Sequence, residues 1–126
     1  MKQLRVIVVD DEADGIATLS KMLRLNCPEV EIIATCNNAE TATQQIQALQ
    51  PDVVFLDIQM PGKSGIDILN YIKKENKDCR VIMITNHAFD SYRKKCIELG
   101  AEHFLDKSAD FEKISGILGD MLESSN

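Results

Sequence analysis

Four carboxylates, one hydroxyl and one ammonium stand at the ends of apolar runs in this chain. Asp10-Asp11-Glu12 follows the run Leu4–Val9, Asp57 follows Val53–Leu56, Thr85 follows Val81–Ile84, and Lys107 comes shortly after His103–Leu105. Any one of these residues alone reads as a solvated loop start; agreement at all four run ends points to a shared site. Two carboxylates about 4 Å apart repel by about 4 kcal/mol at an effective dielectric near 20, so several gathered together call for a cation. Hard oxygen ligands with room left for water suit Mg²⁺ or Mn²⁺ better than zinc. Lys107 can neutralise part of the cluster, or pair with an incoming anion. A carboxylate, a divalent ion, a lysine and a threonine hydroxyl are the parts of a phosphoryl-transfer site. Asp57 would be a nucleophile that forms an acyl phosphate, with the metal and Lys107 stabilising charge on the phosphoryl oxygens. Thr85 can donate a hydrogen bond to one of them. Pro61, Gly62 and Gly65 suit a tight, stiff turn after Asp57.

These residues need elements to hold them in place. Leu4–Val9, Val30–Thr35, Val53–Leu56, Val81–Ile84 and His103–Leu105 read as strands, β-branched and apolar. Helical spacing lies between them: Ile16, Leu19, Met22 and Leu23; then Ala39, Ala42, Ile46 and Leu49, with Asn38 as cap and Pro51 as stop. Ile66, Leu69 and Ile72 mark a third helix. Tyr92, Cys96 and Leu99 mark a fourth, with Asp90 as cap and Gly100 as stop, and Phe111, Ile114, Leu118, Met121 and Leu122 mark a fifth. Five strands alternating with five helices predict an α/β fold, a doubly wound parallel sheet. In such sheets the ligand site lies beyond the carboxyl ends of the strands, near the switch in strand order.

Bulk composition narrows the function classes. The chain has 126 residues, with 44% hydrophobic and 27% charged, which suits one globular domain. A net charge of -6 argues against direct nucleic-acid binding and against an anionic membrane surface. The longest apolar runs are four residues, far from the roughly 20 that span a bilayer. No signal-peptide pattern precedes the first strand. Cys27, Cys36, Cys79 and Cys96 form no C-x-x-C pair, and His87 and His103 are not spaced to complete a zinc site. A reduced, cytoplasmic protein is the expectation.

The motifs VVDDE, FLDIQMPGKSG, MIT and FLDK, in this order and spacing, resemble the receiver domain of two-component response regulators over essentially the whole chain. The resemblance implies a flavodoxin-like sheet in the order 2-1-3-4-5 and one receiver domain over residues 1–126, with no output domain in this chain. It makes Asp57 the phosphoacceptor. Asp10 and Asp11 become the acidic pair, Asp11 ligating Mg²⁺ (or Mn²⁺) directly and Asp10 largely through water. Asp57 joins that metal site, and Gln59 gives it a backbone carbonyl. Thr85 and Lys107 match the phosphate-sensing hydroxyl and the lysine, and Phe104 falls at the switch aromatic. The implied partners are a sensor histidine kinase or phosphotransfer protein, and a downstream protein target on the face of the fourth helix, fifth strand and fifth helix.

The chain departs from the family pattern at several positions. Ser108 follows the lysine where the family often has proline, Asn86 and His87 follow the threonine, and the switch aromatic lacks a hydroxyl. Arg93-Lys94-Lys95 reads either as a docking patch or as a solvated face. Switching is expected to draw Thr85 inward and turn Phe104 from a partly exposed to a buried position. A flavodoxin would need a phosphate loop where Asp10-Asp11-Glu12 stands, and a haloacid-dehalogenase-type phosphatase would want aspartate where Gln59 stands. Two alternatives are a pseudo-receiver that binds partners without taking phosphate, and the detached N-terminal receiver of a longer transcriptional regulator.

Overall fold

The computed structural model of the chain describes residues 3–60, 63–76, 78–86 and 89–124; Pro61, Gly62 and His87 lie outside the described residues. Strands β1 (Leu4–Val9), β2 (Val30–Cys36), β3 (Val53–Leu56), β4 (Arg80–Thr85) and β5 (His103–Asp106) form one sheet in the order β2-β1-β3-β4-β5. Every pairing is parallel. The helices are α1 (Ala13–Asn26), α2 (Ala39–Leu49), α3 (Gly65–Glu75), α4 (Asp90–Glu98) and α5 (Ile114–Ser124).

Period-two alternation along the strands divides the interior into two cores. Ile7, Val9, Val54, Leu56, Val81 and Met83 face α2, α3 and α4, where Ile46, Leu69, Ile72 and Cys96 meet them. Val6, Val8, Val53, Phe55, Ile82 and Ile84 face α1 and α5, where Leu19, Leu23, Ile114 and Leu118 meet them. Each fully buried aliphatic or aromatic side chain contributes roughly 1.5–3 kcal/mol, so these two layers hold the sheet between the helices. The strand order reverses between β1 and β3, and the crevice at their carboxyl ends is the place where such sheets bind ligands.

The local signals act as their chemistry dictates, with two corrections. Asn38 caps α2 by accepting from the Thr41 N–H at 2.8 Å. Ser64 and Asp67 form a capping box that starts α3 immediately after the Asp57 loop. Gly100, at φ 110°, follows the end of α4. Asp90 does not cap α4: Phe89 holds the cap position and Asp90 is the first helical residue, where its charge suits the helix dipole. Phe111 is not in the fifth helix but in a short 3₁₀ turn, Phe111–Lys113, before α5. The cause is Asp110, whose carboxylate is taken by the Asp106 N–H at 2.9 Å and by Lys113 at 2.9 Å.

Candidate functional site

The sheet's hydrogen-bond ladder carries the site residues one step past the strand ends. Asp10 N–H donates to the Cys36 carbonyl at 3.0 Å, Asp57 N–H to Val9 at 3.0 Å, and Lys107 N–H to Thr85 at 2.9 Å. Three backbones are thereby fixed on one rim. Gly65 lets α3 approach that rim: its N–H donates to the Ile58 carbonyl at 2.6 Å, and a Cβ at this position would overlap the Asp57 carbonyl. The turn that presents Lys107 is tied by Asp106, whose Oδ1 accepts from Ser108 N–H at 2.7 Å and Ala109 N–H at 3.0 Å. Ser108 thus supplies a donor that proline lacks. The Asp106 N–H, with Lys113, also holds the Asp110 carboxyl below its ordinary value.

The side chains converge. Among the described residues, the buried polar and charged ones are Asp10, Ser20, Asp57 and Thr85, and three of these four sit on this rim. Lys107 Nζ lies 2.6 Å from Asp10 Oδ2 and 3.1 Å from Asp57 Oδ2. Burial pulls the Lys107 ammonium down, but its hydrogen bond to Asp10 and the charges of Asp57 and Asp10 outweigh that and raise it. Burial pushes the Asp57 carboxyl up; Lys107 and, more weakly, the Thr85 hydroxyl pull it back without cancelling the effect. Asp57 Oδ1 is buried without a hydrogen-bond partner of good geometry.

Carboxylate oxygens of Asp10, Asp11, Glu12 and Asp57 all lie within 4.8 Å of one another. Each such pair repels by roughly 3 kcal/mol at an effective dielectric of about 20, and one lysine does not neutralise four charges. The unpartnered Asp57 oxygen and the all-oxygen donor set fit a hard divalent cation. Gln59 is exposed and lines a depression of about 560 Å³ together with Asp11, Met60 and Tyr92, beside the cluster. Glu12 is the residue that the expected ligand set omitted. Its place as the third acid after β1 was the available signal. No cysteine competes for the chemistry. All four are free and buried, and burial raises Cys79 to about 12 and Cys96 to about 11, which leaves them protonated.

Phe104 corrects an expectation. Its ring is not partly exposed but 3% accessible, packed in the core with Met83 and Cys96. With no hydroxyl to hydrate, the ring has no reason to seek solvent. Arg93 covers it: the guanidinium carbon stands 5.0 Å from the ring centroid, and Nη1 donates to the Phe104 carbonyl at 2.8 Å. Arg93 therefore belongs to the α4–β5 contact although, like Lys94 and Lys95, it is exposed.

A family model described as the response regulator receiver domain matches residues 6–118, and the chain belongs to that family. An uncharacterised response regulatory protein of Yersinia pestis is 40% identical over 116 residues, covering 91% of this chain and 47% of that protein. The signal receiver domain of the response regulator NarL from Mycobacterium tuberculosis matches with a TM-score of 0.88 at 25% identity, over 98% of both chains. A chain of the CheX–CheY–BeF3–Mg²⁺ complex from Borrelia burgdorferi matches with a TM-score of 0.87 at 28% identity, over 96% of this chain and 90% of that one. The chain spans about half the length of the first curated relatives it matches.

Proposed function

We propose that this receiver domain is a phosphorylation-controlled switch whose acceptor is Asp57. The observation that carries the reading is the buried Asp57 carboxylate, with one oxygen on Lys107 and the other unpartnered, beside three more carboxylates. The donor is the phosphohistidine of a sensor histidine kinase or a phosphotransfer protein. An Asp57 oxygen forms the new O–P bond as the P–N bond breaks, and the electron pair of that bond returns to the imidazole. Lys107 stays beside Asp57 and pairs with charge on the phosphoryl oxygens. The Thr85 hydroxyl donates to one of these oxygens, a stronger bond than any it makes to a neutral acceptor. Mg²⁺ or Mn²⁺, held by Asp10, Asp11, Asp57 and the Gln59 carbonyl, supplies further positive charge when bound. The protein catalyses only its own phosphorylation and dephosphorylation.

Thr85 passes its movement to β5 through the Lys107 N–H on its carbonyl, and Arg93 joins β5 to α4. The output is a change in the α4–β5–α5 face, which would bind a downstream protein target; a groove of about 490 Å³ lined by Arg93, Ile97, His103 and Ile117 lies there. One receiver domain occupies residues 1–126, in the cytoplasm, with no output domain inside that range. A second reading, the N-terminal receiver of a longer regulator, is favoured by coverage of only about half of the first relatives. The test is incubation with a small phosphodonor and Mg²⁺. Asp57 should gain one acid-stable, base-labile phosphoryl group, and Asp57→Asn should stay folded and gain none. Modification of the variant at an unchanged rate removes Asp57 from the role, and an unmodified wild type favours a binding module that takes no phosphate.

A further inference from the structure

We infer that Gly15 is a positioning residue for the acidic site: its missing side chain is the space the Asp10 carboxylate occupies when it pairs with Lys107. Gly15 lies in the first turn of α1, inside a helix, where glycine is an unfavourable choice. A Cβ built there would overlap Asp10 Oδ2 and stand 3.0 Å from its Cγ and 3.4 Å from its Oδ1. The glycines of α5 give the contrast: a Cβ at Gly116 or Gly119 meets nothing within 4 Å.

Asp10 has little freedom to step aside. Its Oδ1 accepts from the Glu12 N–H at 3.0 Å and its Oδ2 from Lys107 at 2.6 Å, and the residue is 4% exposed. A methyl group at position 15 must therefore move the carboxylate, or push the start of α1 away from the rim. Moving the carboxylate breaks the shorter of the two Lys107 contacts and displaces one of the four clustered acids. Asp11 and Glu12, on the same turn, follow if α1 moves. The missing side chain at one helical position thus sets the geometry of the Asp10–Lys107 pair and of the oxygen cluster beside it. The consequence for metal binding rests on the function proposed above; the steric relation to Asp10 does not.

A double-mutant cycle on the full chain separates the two. Wild type, Gly15→Ala, Asp10→Ala and the double variant are melted in chelator, and Mn²⁺ affinity is measured by water-proton relaxation without a phosphodonor. Gly15→Ala should lower the melting temperature of the wild type but raise it in the Asp10→Ala background, where only the helix preference for alanine remains. It should weaken Mn²⁺ roughly tenfold in the wild type, the scale expected when a support of a metal ligand is lost, and leave the Asp10→Ala affinity unchanged. A melting shift of the same sign in both backgrounds overturns the proposal. If Gly15→Ala fails to fold, a folded double variant supports it and an unfolded one overturns it. If Mn²⁺ binds none of the four proteins, the metal reading fails while the melting data still decide the role of Gly15.

Discussion

Burial raises the Asp57 carboxyl above its ordinary value of 3.8, against the pull of Lys107. A carboxyl whose pKa is raised by folding contributes stability below its unfolded value and loses it as pH climbs through the folded value. At neutral pH the ionised Asp57 is therefore a burden on the fold. Asp57→Asn removes that burden while Lys107 keeps Asp10. The variant should be more stable at neutral pH, a gain that shrinks as pH falls toward the unfolded carboxyl value; urea titrations along a pH series will show it. The metal binding proposed for the clustered charge would make the fold respond to Mg²⁺. At Mg²⁺ tenfold above its dissociation constant the wild type should gain about 1.4 kcal/mol, and the gain should vanish on adding chelator or in Asp11→Asn. Calorimetric melting with and without Mg²⁺ measures both.

Among the helices, α4 stands apart. Its one buried residue is Cys96, whereas α3 buries Gly65, Ile68, Leu69 and Ile72. A helix with so little apolar anchorage is suited to shift when the sheet edge beneath it changes. Arg93 compensates, with its hydrogen bond to the Phe104 carbonyl and its cover of the ring. Arg93→Ala should cost about 1 kcal/mol and speed amide exchange through α4 and β5, while Lys94→Ala should change stability by less than about 0.5 kcal/mol. Equal exchange in the two variants would show that Arg93 is not the tie. Asn38→Ala, which removes the α2 cap, should cost about 1 kcal/mol without altering α4 exchange.

At the scale of the whole molecule the sheet separates two cores, and the rim residues sit at the ends of the strands that divide them. Thr85 ends β4, which pairs with β3 on one side and β5 on the other. On the proposed switch, a perturbation at Asp57 would reach β5 and α4 by way of Thr85 and β4; β2 and α2 lie equally far on the opposite edge, beyond β1, but no site hydroxyl leads to them. Beryllofluoride with Mg²⁺, which mimics the phosphoryl group, should move amide resonances of α4, β5 and α5 more than those of β2 and α2. Shifts concentrated on the β2 side would overturn the route. Phe104→Ala tests whether the buried ring transmits the change: an unaltered pattern leaves Arg93 and the strand pairing as the carriers.

Much of this was legible in the chain itself. Strands β1 and β3 carry β-branched and apolar runs that only a sheet covered on both faces can bury, so their limits and the acids that follow them could be read directly. The Asn38 side chain and the backbone freedom of Gly100 acted as the local sequence requires, because caps and stops are local events. Phe111 did not, because the Asp106–Asp110–Lys113 contacts override local preference; Asp90 did not, since Phe89 takes the cap position and Asp90 begins the helix. Sequence spacing brought Asp10, Asp57, Thr85 and Lys107 to one rim, since parallel strands end on one side. Only the tertiary structure decided the rest: that Lys107 bridges Asp10 and Asp57, that Glu12 joins the cluster, that Phe104 is buried beneath Arg93, and that Gly15 makes room for Asp10. Those contacts depend on how closely α1 and α4 pack on the sheet, and close packing is fixed by the sum of both cores rather than by any stretch of residues.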